Sequence, residues 1–199
     1  MSVSVHNHKV SSERCSFTNA KKLVYCGLLT AVAVVLGLAA VYFPIRLFSI
    51  APFLLYDPAD VPIIIGTLIM GAGHGLLITV AVSLIMGMYE AGLIGAFMHI
   101  ASTGLLVTLI AAFYHLSNYK HKYLIGALVG TVGATAVMVG LNLLVTPLYL
   151  GVPVEQVVAL LIPAIIPFNL IKAAVNSALA YAVFTALLPY LRKVGMVNQ

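Results

Sequence analysis

The sequence predicts an all-α integral membrane protein with six transmembrane helices and both termini in the cytoplasm. Three observations carry this. Hydrophobic residues make up 62% of the 199-residue chain and charged residues only 8%, with a mean hydropathy of +1.12; a soluble domain carries about 25% charged residues. The apolar residues fall into six runs separated by proline, glycine or charge. Basic residues collect at alternate ends of those runs. With the N-terminus inside, Lys9, Arg14, Lys21, Lys22, Lys120, Lys122, Arg192 and Lys193 are all cytoplasmic, leaving Arg46 outside and Lys172 within a span, as the positive-inside bias requires. Four of the five acids, Asp57, Asp60, Glu90 and Glu155, fall at or near the other face. A soluble enzyme and a secreted disulfide scaffold are excluded. The net charge of +5 forms no basic stripe, so no nucleic-acid partner is implied.

Residues 1–19 are polar and predict a disordered cytoplasmic tail rather than a signal peptide, because the apolar run starts only after Lys21-Lys22. Thr18 or Asn19 caps the first helix. The membrane domain covers 20–192, and 193–199 form a cytoplasmic C-terminal tail. Span one runs from about 20 to 43 and stops at Pro44. The following segment, PIRLFSIAPFLLYDPAD, is long for a loop yet mostly apolar, which suits a lid folded over a solute. Span two is about 59–72, a tight turn from Gly71 to Gly75 leads into span three at 75–89, and Glu90-Ala91-Gly92 joins it to span four at 92–116. Spans five and six are placed at 123–145 and 157–191. Asp57 and Asp60, flanking Pro58, read first as turn and helix-cap residues. His74 reads as a solvated histidine in the inner turn, and His99 as a packing histidine bonded to a carbonyl. Cys15 and Cys26 match neither a disulfide framework nor a metal spacing.

Polar residues inside the late spans point to a ligand. An amide or amine in hydrocarbon costs several kcal/mol unless it is paired or faces a polar cavity. Asn169, Lys172 and Asn176 stand at i, i+3 and i+7 and share one helix face. In span five, Thr131, Thr135, Met138 and Asn142 form one stripe, with Gly126, Gly130, Gly133 and Gly140 roughly opposite. Glycines suit close helix packing, so the other stripe faces a cavity and sets Asn142 opposite Asn169 and Lys172. Pro167 frees the carbonyl of Pro163 from its helical bond, and free backbone groups at membrane depth are tolerated where they line a cavity.

Span one carries two small-xxx-small pairs, Gly27 with Ala31 and Ala33 with Gly37, of the kind that lets another membrane helix dock closely. The chain contains no GxxxxGK[ST], GxSxG, HExxH or CxxC, so ATP hydrolysis, serine hydrolysis and a metal site are not expected. Lys172 reads as the one ionisable group deep in a span with no acid beside it, too little for a proton relay. A structural subunit with no ligand of its own would explain the small-residue faces, but not the Asn142, Asn169 and Lys172 stripe.

Four segments taken in order, FLLYDPADVPIIIGTLIMG, LIGAFMHIASTG, MVGLNLLVTPLYLGVPVEQVV and IIPFNLIKAAVNS, resemble the substrate-binding S components of energy-coupling factor (ECF) vitamin transporters, most closely the riboflavin-specific RibU type. The resemblance covers about residues 20–192. It implies the six-helix S-component fold in the cell membrane, no enzymatic activity and no cofactor. Riboflavin is then the transported ligand, with flavin mononucleotide a further candidate, and the partners are a transmembrane coupling subunit and two ATPase subunits. The resemblance assigns ligand binding to Asn142, Asn169 and Lys172, and docking to Gly27 and Ala31 in place of the family's AxxxA. Candidate ligand or lid contacts are Leu54, Tyr56, Asp57, His99 and Thr103, and Phe48, Phe53, Leu54 and Leu55 would help wall the dimethylbenzene end. The alternative within the family is an S component for another vitamin or precursor.

Overall fold

A computed structural model describes residues 18–89 and 92–197. The expected tail of residues 1–17, with Cys15, and the Glu90-Ala91 part of loop three lie outside the described residues. Helix α1 is Asn19–Tyr42. A two-stranded antiparallel hairpin follows, β1 Ile45–Arg46 and β2 Leu55–Tyr56, pairing Ile45 with Tyr56 and Arg46 with Leu55. Next come α2 Asp60–Met70, α3 Ala72–Gly87, α4 Gly92–Leu116 and α5 Lys122–Leu150. The last stretch is α6 Val154–Leu160, a π-helical turn Leu161–Ile165 and α7 Ile166–Lys193.

Four stretches are long and apolar enough to cross a membrane: Asn19–Tyr42, Gly92–Leu116, Lys122–Leu148 and Val154–Lys193. At 11 and 16 residues and 1.5 Å rise each, α2 and α3 fall short of a hydrocarbon core of about 30 Å. Every helix hides only part of its surface and leaves large apolar side chains outside. Leu23, Val24, Leu93, Leu128 and Ile162 are among them, each more than half exposed, as expected where lipid is the solvent.

Local chemistry explains the boundaries. Thr18 caps α1 by accepting from the Lys21 amide at 3.4 Å. Gly71, at φ +90°, separates α2 from α3 with one residue, a conformation that suits glycine. Helix α5 runs on past the expected end at 145 through Pro147, because a proline in the last turn removes one bond without stopping the helix; it closes at Gly151 in the left-handed region. The final stretch starts three residues before the expected 157. Lys193 belongs to α7, not to a tail, and Met196 and Val197 fold back onto the core.

The glycine stripe of α5 packs on α4, as its spacing predicts, for three of its four members. A Cβ at Gly126 would lie 2.9 Å from Phe113 Cβ and 3.2 Å from Ile110 Cα, at Gly130 3.1 Å from Leu106 O, and at Gly133 against Leu105 and Leu109. Gly140 has open space. Since Gly126 meets backbone, Gly126→Ala is expected to push α4 and α5 apart and cost about 1–3 kcal/mol. Thermal unfolding in detergent checks this. An unchanged melting temperature would mean the two helices slide freely at that level.

Candidate functional site

The C-terminal halves of α3 and α5 and the N-terminal portions of α4 and α7 gather at one end of the bundle. Between them lies a cavity of about 410 Å³. Asn142 from α5 and Asn169 and Lys172 from α7 all line it, as do Thr135 and Met138 of the predicted cavity stripe. Asn142 and Asn169 are almost wholly buried. Each fixes its amide by donating from Nδ2 to the carbonyl four residues back, Met138 and Ile165 respectively, both at 2.8 Å. A carbonyl only accepts, so this bond settles which amide atom points which way. Asn142 Oδ1 also accepts from Thr146 Oγ1 at 2.8 Å.

The hairpin segment is folded over this end, as its apolar character predicts. Ala51 and Leu54 are buried in a small core with Val157, Ala164, Ile165 and Phe168, and Phe48, Phe53 and Tyr56 pack against it. Phe53, Leu54 and Leu55 reach the cavity wall; Phe48 does not line it. The π-helical turn contains Pro163 and is followed by Pro167. Proline without an N–H disrupts the α-helical ladder, and the widened turn presents Ala164 and Ile165 to the hairpin.

Lys172 departs from expectation, because it has acids beside it. Its Nζ is 2.5 Å from Asp57 Oδ2 and 3.9 Å from Asp60 Oδ2. Asp57 does serve the turn, its Oδ1 accepting from the Ala59 amide at 3.0 Å. Asp60 is no cap. Only 2% exposed, it points into the bundle and accepts from His99 Nε2 at 2.9 Å and Thr103 Oγ1 at 3.1 Å on one oxygen. Asn176 Nδ2 donates to the other at 3.3 Å. His99 is thus bonded to a carboxylate and to Ser83 Oγ, at 2.7 Å, not to a carbonyl. Asp57, Asp60, His99 and Thr103 all line the cavity.

Tyr56 turns the other way. Its hydroxyl donates to Asn176 Oδ1 at 2.8 Å, and it is not among the lining residues. Burial and the neighbouring Asp57 push its phenol above the usual range, which keeps it a donor. Asn176 was read as the inner member of a polar stripe; it is fully buried and also donates to Asp57 O at 3.0 Å. It ties α7 to the root of the hairpin and to the start of α2. His74 is half-buried and bonded to Met70 O at 3.0 Å rather than free in solvent. Ser83 was missed from sequence; a small hydroxyl in an apolar run gives little signal until its partner is known.

Gly27 and Ala31 lie on the exposed face of α1, and a Cβ on Gly27 would meet nothing within 4 Å. Gly37, by contrast, is filled by Met86 from α3, so the second small pair serves the chain's own packing. Among the described residues, no three His, Cys, Asp or Glu side chains gather as a metal site.

Known proteins are similar to this chain along most of its length. The family model described as ECF transporter, substrate-specific component, matches residues 21–184. The riboflavin transporter RibU of Streptococcus thermophilus is 29% identical over 185 residues, covering 86% of each chain. The riboflavin transporter RibU of Staphylococcus aureus is 28% identical over 182 residues, 87% of this chain and 94% of that one. A solved structure of the S component of a bacterial ECF transporter superposes with a TM-score of 0.75 at 24% identity, over 88% of this chain and 99% of the other, a likeness of fold.

Proposed function

The chain belongs to the family of ECF transporter substrate-specific components, multi-pass membrane proteins, and from that premise we propose that it is the riboflavin-binding subunit of such a transporter. The observation that carries this reading is the convergence of Asn142, Asn169 and Lys172, from two helices, on one largely apolar cavity. A few aimed polar groups in an apolar wall are the usual design of a small-molecule site.

The flavin's pyrimidine edge alternates acceptors with an N–H donor. Asn169, its Nδ2 tethered to Ile165, offers Oδ1 as an acceptor and one remaining N–H as a donor. The ammonium of Lys172 keeps donors beyond the one given to Asp57 and makes a charge-assisted bond to a ring carbonyl. Asn142 reaches the same edge from α5. Phe53, Leu54, Leu55 and Met98 supply apolar wall for the dimethylbenzene end. Leu54, Asp57, His99 and Thr103 are the further contacts in this reading, and Tyr56 acts through the hairpin.

In the membrane the chain crosses six times with both termini cytoplasmic. The short α2 and α3 complete their crossings with the hairpin segment, which takes the place of the outer part of α2. Energy comes from a transmembrane coupling subunit and two ATPase subunits, since this sequence has no phosphate-binding P-loop.

Protein purified from cells grown with riboflavin is expected to carry the flavin's visible absorption bands and to quench added riboflavin fluorescence. Alone in vesicles, it is expected to show no ATP-driven uptake. A colourless protein that leaves riboflavin fluorescence untouched would overturn the ligand, and concentrative uptake by the isolated chain would overturn the division of labour.

A further inference from the structure

We propose that His99 carries a proton on both ring nitrogens and acts as a positioning residue, the second cation of a closed four-charge cluster that shapes the cavity wall for an uncharged ligand. The argument is a count of hydrogens. Ser83 Oγ is 2.6 Å from Thr79 O and 2.7 Å from His99 Nδ1. A backbone carbonyl only accepts, so the single hydroxyl proton of Ser83 goes to Thr79 O, and its lone pair faces Nδ1. Nδ1 therefore donates. On the other edge, Nε2 faces Asp60 Oδ1 at 2.9 Å. That carboxylate also receives Thr103 Oγ1 and Asn176 Nδ2 and stands 3.9 Å from the Lys172 ammonium. An oxygen pair surrounded by donors is ionised and accepts, so Nε2 donates as well.

The charges then close. Asp57 and Asp60 supply two negative charges, Lys172 and His99 two positive ones. The cluster draws on every element around the ring: Asp60 from α2, Asp57 and Tyr56 from the hairpin segment, Ser83 from α3, Thr103 from α4, and Lys172 and Asn176 from α7. Three of these members, Tyr56, Ser83 and Asn176, stand outside the trio expected to touch the ligand. Their work is to hold Asp60, and so the ammonium beside it, in place.

Without its second proton, His99 would need the Ser83 hydroxyl to turn from Thr79 O to Nδ1, and the cluster would keep one uncompensated negative charge. Both carboxylates would then compete for Lys172 and draw it from the cavity. An electron-rich ring carbonyl of an uncharged ligand loses its donor in that state.

The ligand half of this inference rests on the flavin reading; the protonation of the ring does not. Riboflavin fluorescence quenching is measured from about pH 5 to 9, where free carboxylates and lysine keep their charge. Affinity is expected to be highest at the acidic end and to fall roughly ten- to a hundredfold with rising pH, the cost of a lost charge-assisted bond. His99→Gln is expected to bind weakly with a flat profile, which also removes any titration of the flavin itself from the comparison. In parallel, nitrogen NMR of histidine-labelled protein in nanodiscs at neutral pH should place both ring nitrogens in the protonated range, with that pair of signals missing from His99→Gln. A neutral tautomer at neutral pH, or parallel pH profiles for parent and His99→Gln, overturns the proposal. A parent protein that binds no riboflavin at any pH overturns the flavin reading instead, and the ring spectrum still decides the protonation.

Discussion

Lys172→Ala is expected to weaken riboflavin binding by at least a hundredfold, the largest loss of any single change at the site. Two effects combine. The ligand loses a charged donor, worth about 1.5–3 kcal/mol, and each 1.4 kcal/mol is tenfold. Asp57 and the nearly buried Asp60 also lose the ammonium that stands 2.5 Å and 3.9 Å from them, and breaking a buried pair from one side costs about 3–5 kcal/mol. Lys172→Arg should restore little, because a planar fork does not fit a site built around a compact ammonium. Asn169→Ala removes a neutral partner and should cost about five- to a hundredfold. The pair Lys172→Met with Asp57→Asn separates the two effects. It removes a charge of each sign together, leaving Asp60 to His99. If fluorescence titration shows binding recovered in the double variant, lysine serves only as a counter-ion; if binding stays weak while the protein stays folded, it touches the ligand. Parent-like affinity for both Asn169→Ala and Lys172→Ala would show the polar stripe to be helix packing alone.

The second large effect is on uptake rather than binding. Gly27→Leu or Ala31→Leu should reduce ATP-dependent riboflavin uptake by the reconstituted complex at least about tenfold, because small-residue faces let helices approach closely and a leucine holds them apart. Both positions are exposed, and the space around Gly27 is open to 4 Å. A leucine there faces lipid in the isolated subunit, so flavin affinity should stay within about twofold of the parent. Uptake assays in vesicles containing the coupling and ATPase subunits, beside quenching titrations of the subunit alone, read the two quantities separately. Equal loss of both would assign the residues to the fold.

The helical frame was legible because hydropathy and turn chemistry act locally. Pro44 closes α1, Gly71 parts α2 from α3, and the apolar hairpin segment declared itself by being too greasy for a loop in water. Spacing alone also brought Asn142, Asn169 and Lys172 to one cavity. What the sequence hid were partnerships across the chain. Asp57 and Lys172 are 115 residues apart, and nothing near the lysine in sequence announces an acid. Asp60 sits where a helix cap belongs, and only the arrival of α4 and α7 turns it into an inward carboxylate holding His99, Thr103 and Asn176. The shortness of α2 follows from the same event. Its first residue is claimed by the site, so the helix begins at the depth of the cavity instead of at the membrane edge. Tyr56 was misplaced for a simpler reason: strand alternation decides which way a hairpin residue faces, and a two-residue strand is too short to read from pattern.

The tethers on Asn142 and Asn169 have a kinetic consequence. An exposed amide side chain turns freely and must be stilled when a ligand arrives, at about 0.5–1.5 kcal/mol for a flexible residue. Here each is already held by its own helix through the carbonyl one turn back, so that rotamer entropy was surrendered during folding. A site whose polar contacts are frozen beforehand gains affinity without adding a contact, and the gain falls mostly on the rate of departure, which slows. Long residence of the vitamin would then be a property of two backbone carbonyls, Met138 and Ile165, that never touch it.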